Sequence, residues 1–285
     1  MKKLFIYLLS VALSAIFLLQ TACANENQSG SSSSSTASPG SSAASSSSSP
    51  QSSSPQENQE DLWDVSDVDI SHIGNNNRLI AFTFDDGPTD KTNDLLDVFE
   101  NFNSANPTFT AHATLFTLGA KISDGNSEIM QRAVAMNFEL GNHTYTHANL
   151  NNLSDGEVIA ELQKTDEKLS AFDGKAVHLV RPAGGHADNR VLSLYKTTFI
   201  NWSATLDVKD YESSTTANDI YNTVSTNLLE GGIVLMHQGY DKTVNAVKRL
   251  LPDLKSRGFQ VVSVSELIKF YEVKAKIGAL YNDFI

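Results

Sequence analysis

Two short runs of the sequence combine side chains that could bind a metal ion and activate water. Thr83–Pro88 (TFDDGP) contains adjacent carboxylates, and His143–His147 (HTYTH) contains two histidines four residues apart. A tight Gly-Pro turn can aim the carboxylates differently, so that one binds a cation while the other acts as a base. Histidines at this spacing share one face of a helical turn, and both can reach one Zn²⁺. With Asp86 as the third ligand, we predict a zinc site of two histidines and one carboxylate with an open position, which is a recognised catalytic set.

Simpler interpretations remain open for both runs. An Asp-Asp-Gly-Pro sequence is also typical of a plain turn in which an aspartate caps a helix. H-x-x-x-H is a weak pattern by itself, and because Thr144 follows His143 the run is not the H-E-x-x-H of zinc proteases. The single cysteine, Cys23, excludes an internal disulfide framework and a thiolate-rich metal site. Any metal must therefore bind histidine and carboxylate; Co²⁺ or another divalent cation is the alternative to Zn²⁺.

The elements that must position these residues begin at about residue 77. From there, short β-branched runs alternate with longer segments of helical period, as in parallel βα units. A capping box at Ser154–Glu157 starts one helix, and Gly258 ends the helix before the last strand. Seven units spread over about 200 residues favour a barrel, complete or incomplete, over an open doubly wound sheet. The candidate strands are Leu79–Phe84, Ala113–Leu118, Phe138–Asn142, Val177–Val180, Phe199–Trp202, Ile233–Met236 and Phe259–Val264.

Polar segments follow the ends of these strands, where the loops of a parallel α/β fold converge. Besides the two runs above, they are Arg181–Gly185, Asp207–Tyr211 and Leu235–His237. Arg181 could orient Asp85 by a bidentate contact or pair with another carboxylate of the barrel. His237 follows an apolar strand, so it could be a core histidine satisfied by hydrogen bonds or a catalytic group.

Taken in order, these segments resemble the motifs of the polysaccharide deacetylase family, also called the NodB-homology domain or carbohydrate esterase family four. Thr83–Pro88 matches the first motif and His143–His147 matches H-[ST]-x-x-H, while the remaining three look like R-P-P-Y-G, Asp-Trp and Leu-x-His. The resemblance covers about residues 77–272. It implies a distorted (β/α)₇ barrel of the NodB-homology type.

The resemblance also implies a role for each matching residue. Asp85 is then the base that takes a proton from the metal-bound water nucleophile, and His237 is the acid. Arg181 steers Asp85, Asp210 tunes His237, and Asp86, His143 and His147 bind the metal. Gly184, Tyr211 and Leu235 are expected to contact substrate. His72, His112, His178 and His186 have no counterpart in the motifs and stay outside the predicted site.

Two departures from the family pattern bear on substrate binding. Ala183 and Gly184 stand where the third motif has Pro and Tyr, and Tyr211 stands where the fourth has Trp. A backbone oxyanion donor survives the change to glycine. The aromatic wall at that position is lost, and the loop gains conformational freedom.

The segments flanking the barrel region predict export. Residues 1–23 have the basic start, apolar run and small-residue end of a signal peptide. Cys23 lies in a lipobox-like sequence and would carry a lipid anchor, whereas cleavage at Ala22–Ala24 would instead release a soluble protein. Residues 24–76 are predicted to be a disordered Ser-rich linker, in which residues 25–59 can bury no core. Residues 273–285 are predicted to be a C-terminal tail.

Charge and location together define the expected function. The net charge of −12 argues against nucleic acid or anionic lipid as the main partner. We expect a monomeric, metal-dependent deacetylase of N-acetylated glycan, on the extracellular side of the cytoplasmic membrane or secreted. A tethered enzyme has the cell's own wall within reach, which favours the N-acetylglucosamine of peptidoglycan over chitin. The alternatives are an O-acetyl (xylan) esterase and a non-catalytic glycan-binding lipoprotein.

Overall fold

A computed structural model of the chain describes residues 62–75 and 78–284. The predicted signal peptide, with the lipidation residue Cys23, and residues 24–61 of the predicted linker lie outside the described residues.

Among the described residues, no helix has both the length and the apolar character needed to cross a bilayer.

Seven strands alternate with seven α-helices in the described residues. The strands are β1 (Arg78–Gly87), β2 (Thr114–Thr117), β3 (Glu139–Asn142), β4 (Phe199–Ile200), β5 (Ile233–His237), β6 (Phe259–Val262) and β7 (Leu280–Tyr281). The helices are α1 (Thr92–Ala105), α2 (Ser127–Ala135), α3 (Asp155–Asp173), α4 (Asn189–Leu194), α5 (Ala217–Thr226), α6 (Asp241–Ser256) and α7 (Val264–Phe270). The predicted capping box is present at the start of α3, and Gly258 follows α6 with φ +74°.

Strand β1 is the centre of an all-parallel sheet. Its first residues pair with β6, and its later residues pair with β5 and with β2, which in turn pairs with β3. Single bridges at Val180 continue the wall from β3 to β4, and one bridge joins Asp207 to Leu235 in β5. Because single bridges replace full ladders at these places, the architecture is the distorted (β/α)₇ barrel that the sequence predicts.

The two faces of β1 pack in different hydrophobic cores, and Asp85 lies on the inner face. Ile80, Phe82 and Phe84 pack in one core with residues of α1, α5 and α6. Leu79 and Ala81 belong instead to a second core with residues of α7, on the inner side of the strand. Side chains alternate along a strand, so Asp85 continues the inner row. Both faces are buried, which is why the run is almost continuously apolar until its end.

The structure corrects the predicted strands in two places. Val177–Val180 forms no strand; only Val180 makes bridges, to Asn142 and Phe199. The neighbouring His178 is occupied by side-chain contacts with Asp166 and Asp173, and its carbonyl accepts a hydrogen bond from the Thr197 hydroxyl. Of Phe199–Trp202, only the first two residues form β4. Strand β7 has no counterpart among the predicted strands, because it is only two residues long.

The structure also extends the predicted catalytic domain, residues 77–272, in both directions. Leu62 forms an antiparallel bridge with Lys276, and the Trp63 N–H donates to the Ala275 carbonyl at 2.8 Å. Ile73 and Phe284 are each 7% exposed and belong to the inner core. Part of the predicted linker and most of the predicted tail therefore pack against the barrel, because both segments carry apolar side chains.

Candidate active site

Asp85 lies at the carboxyl end of β1 against a fully buried arginine. Arg181 Nη1 donates to Asp85 Oδ1 at 2.8 Å and to the Thr83 hydroxyl at 2.6 Å. Its Nε and Nη2 donate to the carbonyls of Ile200 and Asn201, so its guanidinium is fixed from three sides. The contact with Asp85 uses one guanidinium nitrogen, unlike the bidentate contact considered above. The carboxylate is oriented by Arg181, and Oδ2 is left to face His143 Nε2 at 3.6 Å.

The backbone of β1 is irregular at Asp86, and this irregularity sets the direction of the Asp86 side chain. The pairing of β1 with β2 shifts register between Phe84 and Gly87, and Asp86 has φ +66°. A left-handed conformation is uncommon for a residue with a side chain. Here it turns Asp86 from the outer side of the strand, where alternation would place it, towards His143 Nε2, which Asp85 also faces. The adjacent carboxylates consequently face different surroundings: the side chain of Asp85 is 3% exposed and that of Asp86 is 34% exposed.

Three side chains converge as a metal-binding set. His143 Nε2 and His147 Nε2 each lie 3.5 Å from Asp86 Oδ1, and one donor atom of each residue lies within 4.8 Å of the other two. Asp86 Oδ1 is buried and makes no hydrogen bond. A buried oxygen without a partner, facing two imidazole nitrogens, fits a divalent cation.

The histidines do not converge by the helical turn that their spacing predicts. Residues 143–147 form an irregular loop after β3, in which Thr144 and His147 have φ +70° and +65°. Left-handed residues at two positions bend the chain back on itself, and this brings the two rings to a centroid separation of 5.1 Å. The expectation of a helical turn is wrong; the two imidazole rings lie close together by way of an irregular loop instead.

Helix α3 and strand β3 hold this loop in place. Glu161 Oε2 accepts the Tyr145 and Thr146 N–H groups at 2.9 and 2.8 Å. Asn142 Oδ1 accepts the Thr144 N–H at 2.9 Å, while the Asn142 amide donates to Asp166 Oδ1 at 2.8 Å. Sequence reasoning missed both Glu161 and Asn142. Asn142 could have been found as a polar residue that ends a buried strand, but nothing in the sequence marks Glu161.

His143 is prepared to be a metal ligand. Its Nδ1 donates to the Arg181 carbonyl at 2.7 Å, which leaves the lone pair on Nε2. Burial lowers the pKa of His143, against the opposing effect of the Asp85 and Asp86 carboxylates. The ring is therefore held neutral, which is the form that binds a metal.

His237 ends β5, next to Asp85 in the sheet register, and is held by a buried aspartate. Asp210 Oδ1 lies 2.6 Å from His237 Nδ1, and Oδ2 accepts the His237 N–H and the Thr243 hydroxyl. Burial lowers the pKa of His237, but the hydrogen bond and charge of Asp210 outweigh it, so the pKa is raised above 6.5. Nε2 has no protein partner among the described residues. The pKa of His237 is thus shifted in the opposite direction from that of His143.

Gln238 fixes the turn that carries the two carboxylates. Its amide donates to the Phe84 carbonyl at 3.1 Å, and its Oε1 accepts the Thr92 hydroxyl at 2.9 Å. A Cβ on Gly87 would lie 1.9 Å from Gln238 Oε1, so this turn requires glycine at that position. Sequence reasoning missed Gln238, whose role depends on contacts with residues about 150 positions earlier.

The residues predicted to bind substrate have different surroundings. Tyr211 is 48% exposed, and its ring lies 5.5 Å from that of His237, while Tyr240, which was not predicted, lies 6.3 Å away on the same histidine. Gly184 has φ +63° in a 3₁₀ turn after Arg181, as glycine readily allows. Leu235 is 4% exposed within β5.

Comparison with known proteins places this geometry in a family. Residues 72–200 match the family model described as polysaccharide deacetylase. The chain is 32% identical over 208 residues to a peptidoglycan-N-acetylglucosamine deacetylase of Bacillus cereus, covering 70% of this chain and 92% of that protein. It is also 32% identical over 204 residues to a bifunctional xylanase/deacetylase of Pseudobutyrivibrio xylanivorans, covering 71% of this chain but 32% of that protein. Among solved structures, the Xyl-CE4 domain of a multidomain xylanase from the hindgut metagenome of Trinervitermes trinervoides superimposes with a TM-score of 0.67 at 30% identity, covering 73% of this chain and 98% of that domain.

The chain therefore belongs to the polysaccharide deacetylase family, metal-dependent hydrolases of carbohydrate esterase family four. The predicted family, fold class and enzyme class are confirmed. The chain spans about a third of the xylanase/deacetylase and nearly all of the Bacillus cereus relative.

Proposed function

We propose that this protein removes N-acetyl groups from extracellular glycan, with the N-acetylglucosamine of peptidoglycan as its substrate. The observation that carries the proposal is the convergence at one end of the barrel of a metal-binding set, a carboxylate oriented by a buried arginine, and a histidine paired with a buried aspartate. The relative matched over 92% of its length is a peptidoglycan deacetylase, which supports the choice of polymer.

Asp86, His143 and His147 are the residues that would hold the metal. Their donor set of two imidazoles and one carboxylate suits Zn²⁺, with Co²⁺ as an alternative. A bound divalent cation would polarise the acetyl carbonyl and lower the pKa of the attacking water.

Asp85 is the proposed general base. Arg181 Nη1 donates to Asp85 Oδ1 and to the Thr83 hydroxyl, and Asp85 Oδ2 remains directed towards the metal-binding set. Oδ2 can accept the proton that the water loses as it attacks. Arg181 acts as a positioning residue, since its guanidinium contacts only protein groups and compensates the buried negative charge.

His237 is the proposed general acid. The raised pKa favours the protonated ring, in which Nε2 carries the proton that is not committed to Asp210. An amine leaves an amide poorly unless it is protonated, so donation from Nε2 completes the cleavage. Asp210 is a positioning residue that holds the ring and maintains its charge.

Substrate contacts are proposed for Gly184, Tyr211 and Leu235. The exposed ring of Tyr211 offers a stacking surface for a sugar next to His237. Gly184 would present its backbone N–H to the developing oxyanion. Leu235, being almost fully buried, would contribute only an apolar floor beside His237.

The proposed location is outside the cytoplasm, at the membrane through a lipid on Cys23 or released. In either case we propose a monomer that acts on glycan and not on nucleic acid. The acidic net charge of −12 agrees with this choice of partner.

An O-acetyl (xylan) esterase is the second candidate, and one observation favours it. One similar protein is a bifunctional xylanase/deacetylase, and one similar structure is a domain of a multidomain xylanase. The same catalytic groups cleave esters and need less help from an acid.

Acetate release from N-acetylglucosamine oligomers, peptidoglycan and acetylated xylan tests the proposal. We expect the Zn²⁺-loaded enzyme to release most acetate from peptidoglycan, and Asp85→Asn to release none. Activity confined to acetylated xylan would establish the esterase instead. Binding of glycan without acetate release from any substrate would leave a non-catalytic binding protein.

A further inference from the structure

A second cluster of metal-binding side chains lies at the opposite end of the barrel. His72, from the segment before β1, His112, from the residues before β2, and Glu266, from α7, each offer one donor atom within 4.8 Å of the other two. The His112 N–H donates to the Val261 carbonyl, and Val261 is in register with Ile80 of β1. Five residues of strand separate Ile80 from Asp85, or about 16 Å, so the cluster is distinct from the active site.

Hydrogen bonding explains two members of the cluster but not the third. His112 Nδ1 lies 2.6 Å from Glu266 Oε1, and Glu266 Oε2 accepts the Ser263 N–H at the start of α7. His72 Nε2 lies 3.6 Å from the same Glu266 Oε1, is buried, and has no hydrogen-bond partner. A buried polar atom in this state is uncommon in folded proteins and points to a missing partner.

The arrangement suits a divalent cation better than a further hydrogen bond. Ligand atoms of tetrahedral Zn²⁺ lie about 3.3 Å apart, given bonds of about 2.0 to 2.1 Å. The 3.6 Å separation of His72 Nε2 and Glu266 Oε1 is close to this value. The 2.6 Å hydrogen bond between His112 Nδ1 and Glu266 Oε1 would lengthen towards it as His112 gives up its Nδ1 proton to bind the ion. The two imidazole rings lie at a centroid separation of 4.2 Å with their planes tilted by 40°, and a nitrogen of each lies near the Glu266 carboxylate.

The surroundings of the cluster favour a cation and leave room for a further ligand. The three side chains line a cavity of about 490 Å³, whose other charged lining residues are four acids and one cation: Asp69, Glu100, Glu139, Asp173 and Lys175. Two histidines and one glutamate with an open fourth position are a donor set that binds Zn²⁺.

We propose that His72, His112 and Glu266 form a second Zn²⁺ site, whose role is to fasten the segment at residues 62–75 to the base of the barrel. The ligands come from three separate parts of the chain, so one ion links the segment to β2 and α7. The inference does not depend on the proposed catalytic function, because none of the three residues belongs to the active site.

Metal stoichiometry of the purified full chain tests this inference. Equilibrium dialysis against Zn²⁺, followed by elemental analysis, should give two equivalents for the wild type. His72→Phe should bind one equivalent of Zn²⁺, because phenylalanine keeps an aromatic ring next to His112 but removes the ligand nitrogen. His147→Ala should also give one, by loss of the active-site metal, and the double variant should give none.

Thermal melting distinguishes the two sites by a readout other than activity. Added Zn²⁺ should raise the Tm of His147→Ala, which keeps the proposed second Zn²⁺ site, and should not raise the Tm of the double variant. His72→Phe should keep deacetylase activity. The inference fails if His72→Phe still binds two equivalents, or if His147→Ala binds none; in that case the cluster is a hydrogen-bonded pair beside an uncoordinated histidine. If His72→Phe folds poorly, His72→Asn replaces it and should also bind one equivalent of Zn²⁺.

Discussion

Asp85 and Asp86 show how neighbouring residues of one type come to do different work. Asp85 stays in the inner row of β1 and accepts a hydrogen bond from Arg181, which also donates to the Thr83 hydroxyl. Asp86, one residue later, takes a left-handed backbone and faces the histidines. The difference arises from the backbone and not from the side chains themselves.

We predict that the two substitutions Asp85→Asn and Asp86→Asn separate metal binding from turnover. Asp85→Asn keeps the shape of the site and removes the base, so it should bind Zn²⁺ nearly as well as the wild type while losing about 10²- to 10⁴-fold in kcat. Asp86→Asn removes a ligand and should weaken Zn²⁺ binding. Competition with a chromophoric chelator measures both affinities, and equally weak binding by the two variants would contradict the assigned roles.

His237 allows a test that depends on the leaving group. An amide needs a protonated amine to depart, whereas an activated acetate ester does not. We predict that His237→Ala costs about 10²- to 10⁴-fold in rate on an N-acetyl sugar and much less on 4-nitrophenyl acetate. Equal losses on both substrates, together with a lower Tm, would show that His237 supports the barrel instead.

At the scale of elements, helix α3 organises the metal-binding loop without supplying a ligand. Glu161 accepts two loop N–H groups with one oxygen and the Thr146 hydroxyl with the other. The hydrogen bonds to this carboxylate stabilise a loop in which two residues have left-handed backbone conformations. The ligand positions therefore depend on a residue 14 to 18 positions away in the chain.

We predict that Glu161→Ala weakens Zn²⁺ binding at the active site by about 10- to 100-fold, as loss of outer contacts to metal ligands commonly does. Glu167→Ala is the matched control, because Glu167 is an exposed glutamate of the same helix whose carboxylate accepts a hydrogen bond from Gln163. Chelator competition should separate the two variants. Similar affinities for both would mean that the loop holds its shape without Glu161.

The sequence predicted those elements whose pattern is local. The central strands were recognised because buried parallel strands are continuously apolar, and the end of β1 because its carboxylates interrupt that run. Glu161 and Gln238 were not found, since each acts on a loop that is distant in sequence. The 143–147 loop was expected to be helical because spacing alone does not reveal the left-handed residues Thr144 and His147.

At the scale of the whole molecule, one buried histidine couples stability to pH. His178 lies between Asp166 and Asp173, at 2.9 Å and 3.1 Å, and helps to join α3 to the irregular segment that contains Val180. Burial lowers the pKa of His178, but the hydrogen bonds to the two aspartates dominate and raise it to about 9. The ring is consequently a buried cation at neutral pH.

The raised pKa sets the direction of the pH dependence. The stabilisation from His178 is fully present below about pH 6.5, its ordinary pKa, and is lost as the pH rises through about 9. It is worth on the order of 3 kcal/mol at most, from a shift of this size. We predict that the free energy of unfolding falls over this interval in the wild type. Urea titrations of His178→Gln should show a flatter dependence, and parallel curves for the two proteins would contradict the prediction.

The bridge between Leu62 and Lys276 brings the beginning and the end of the described domain together, and Asp283 forms a second bridge to Gly232 nearby in the sheet. A domain whose two chain ends lie close together can be transferred between proteins as a unit. It can be spliced into a longer polypeptide, or joined to another module on either side, without pulling its strands apart. Such portability accounts for a domain that forms nearly all of one relative and about a third of another.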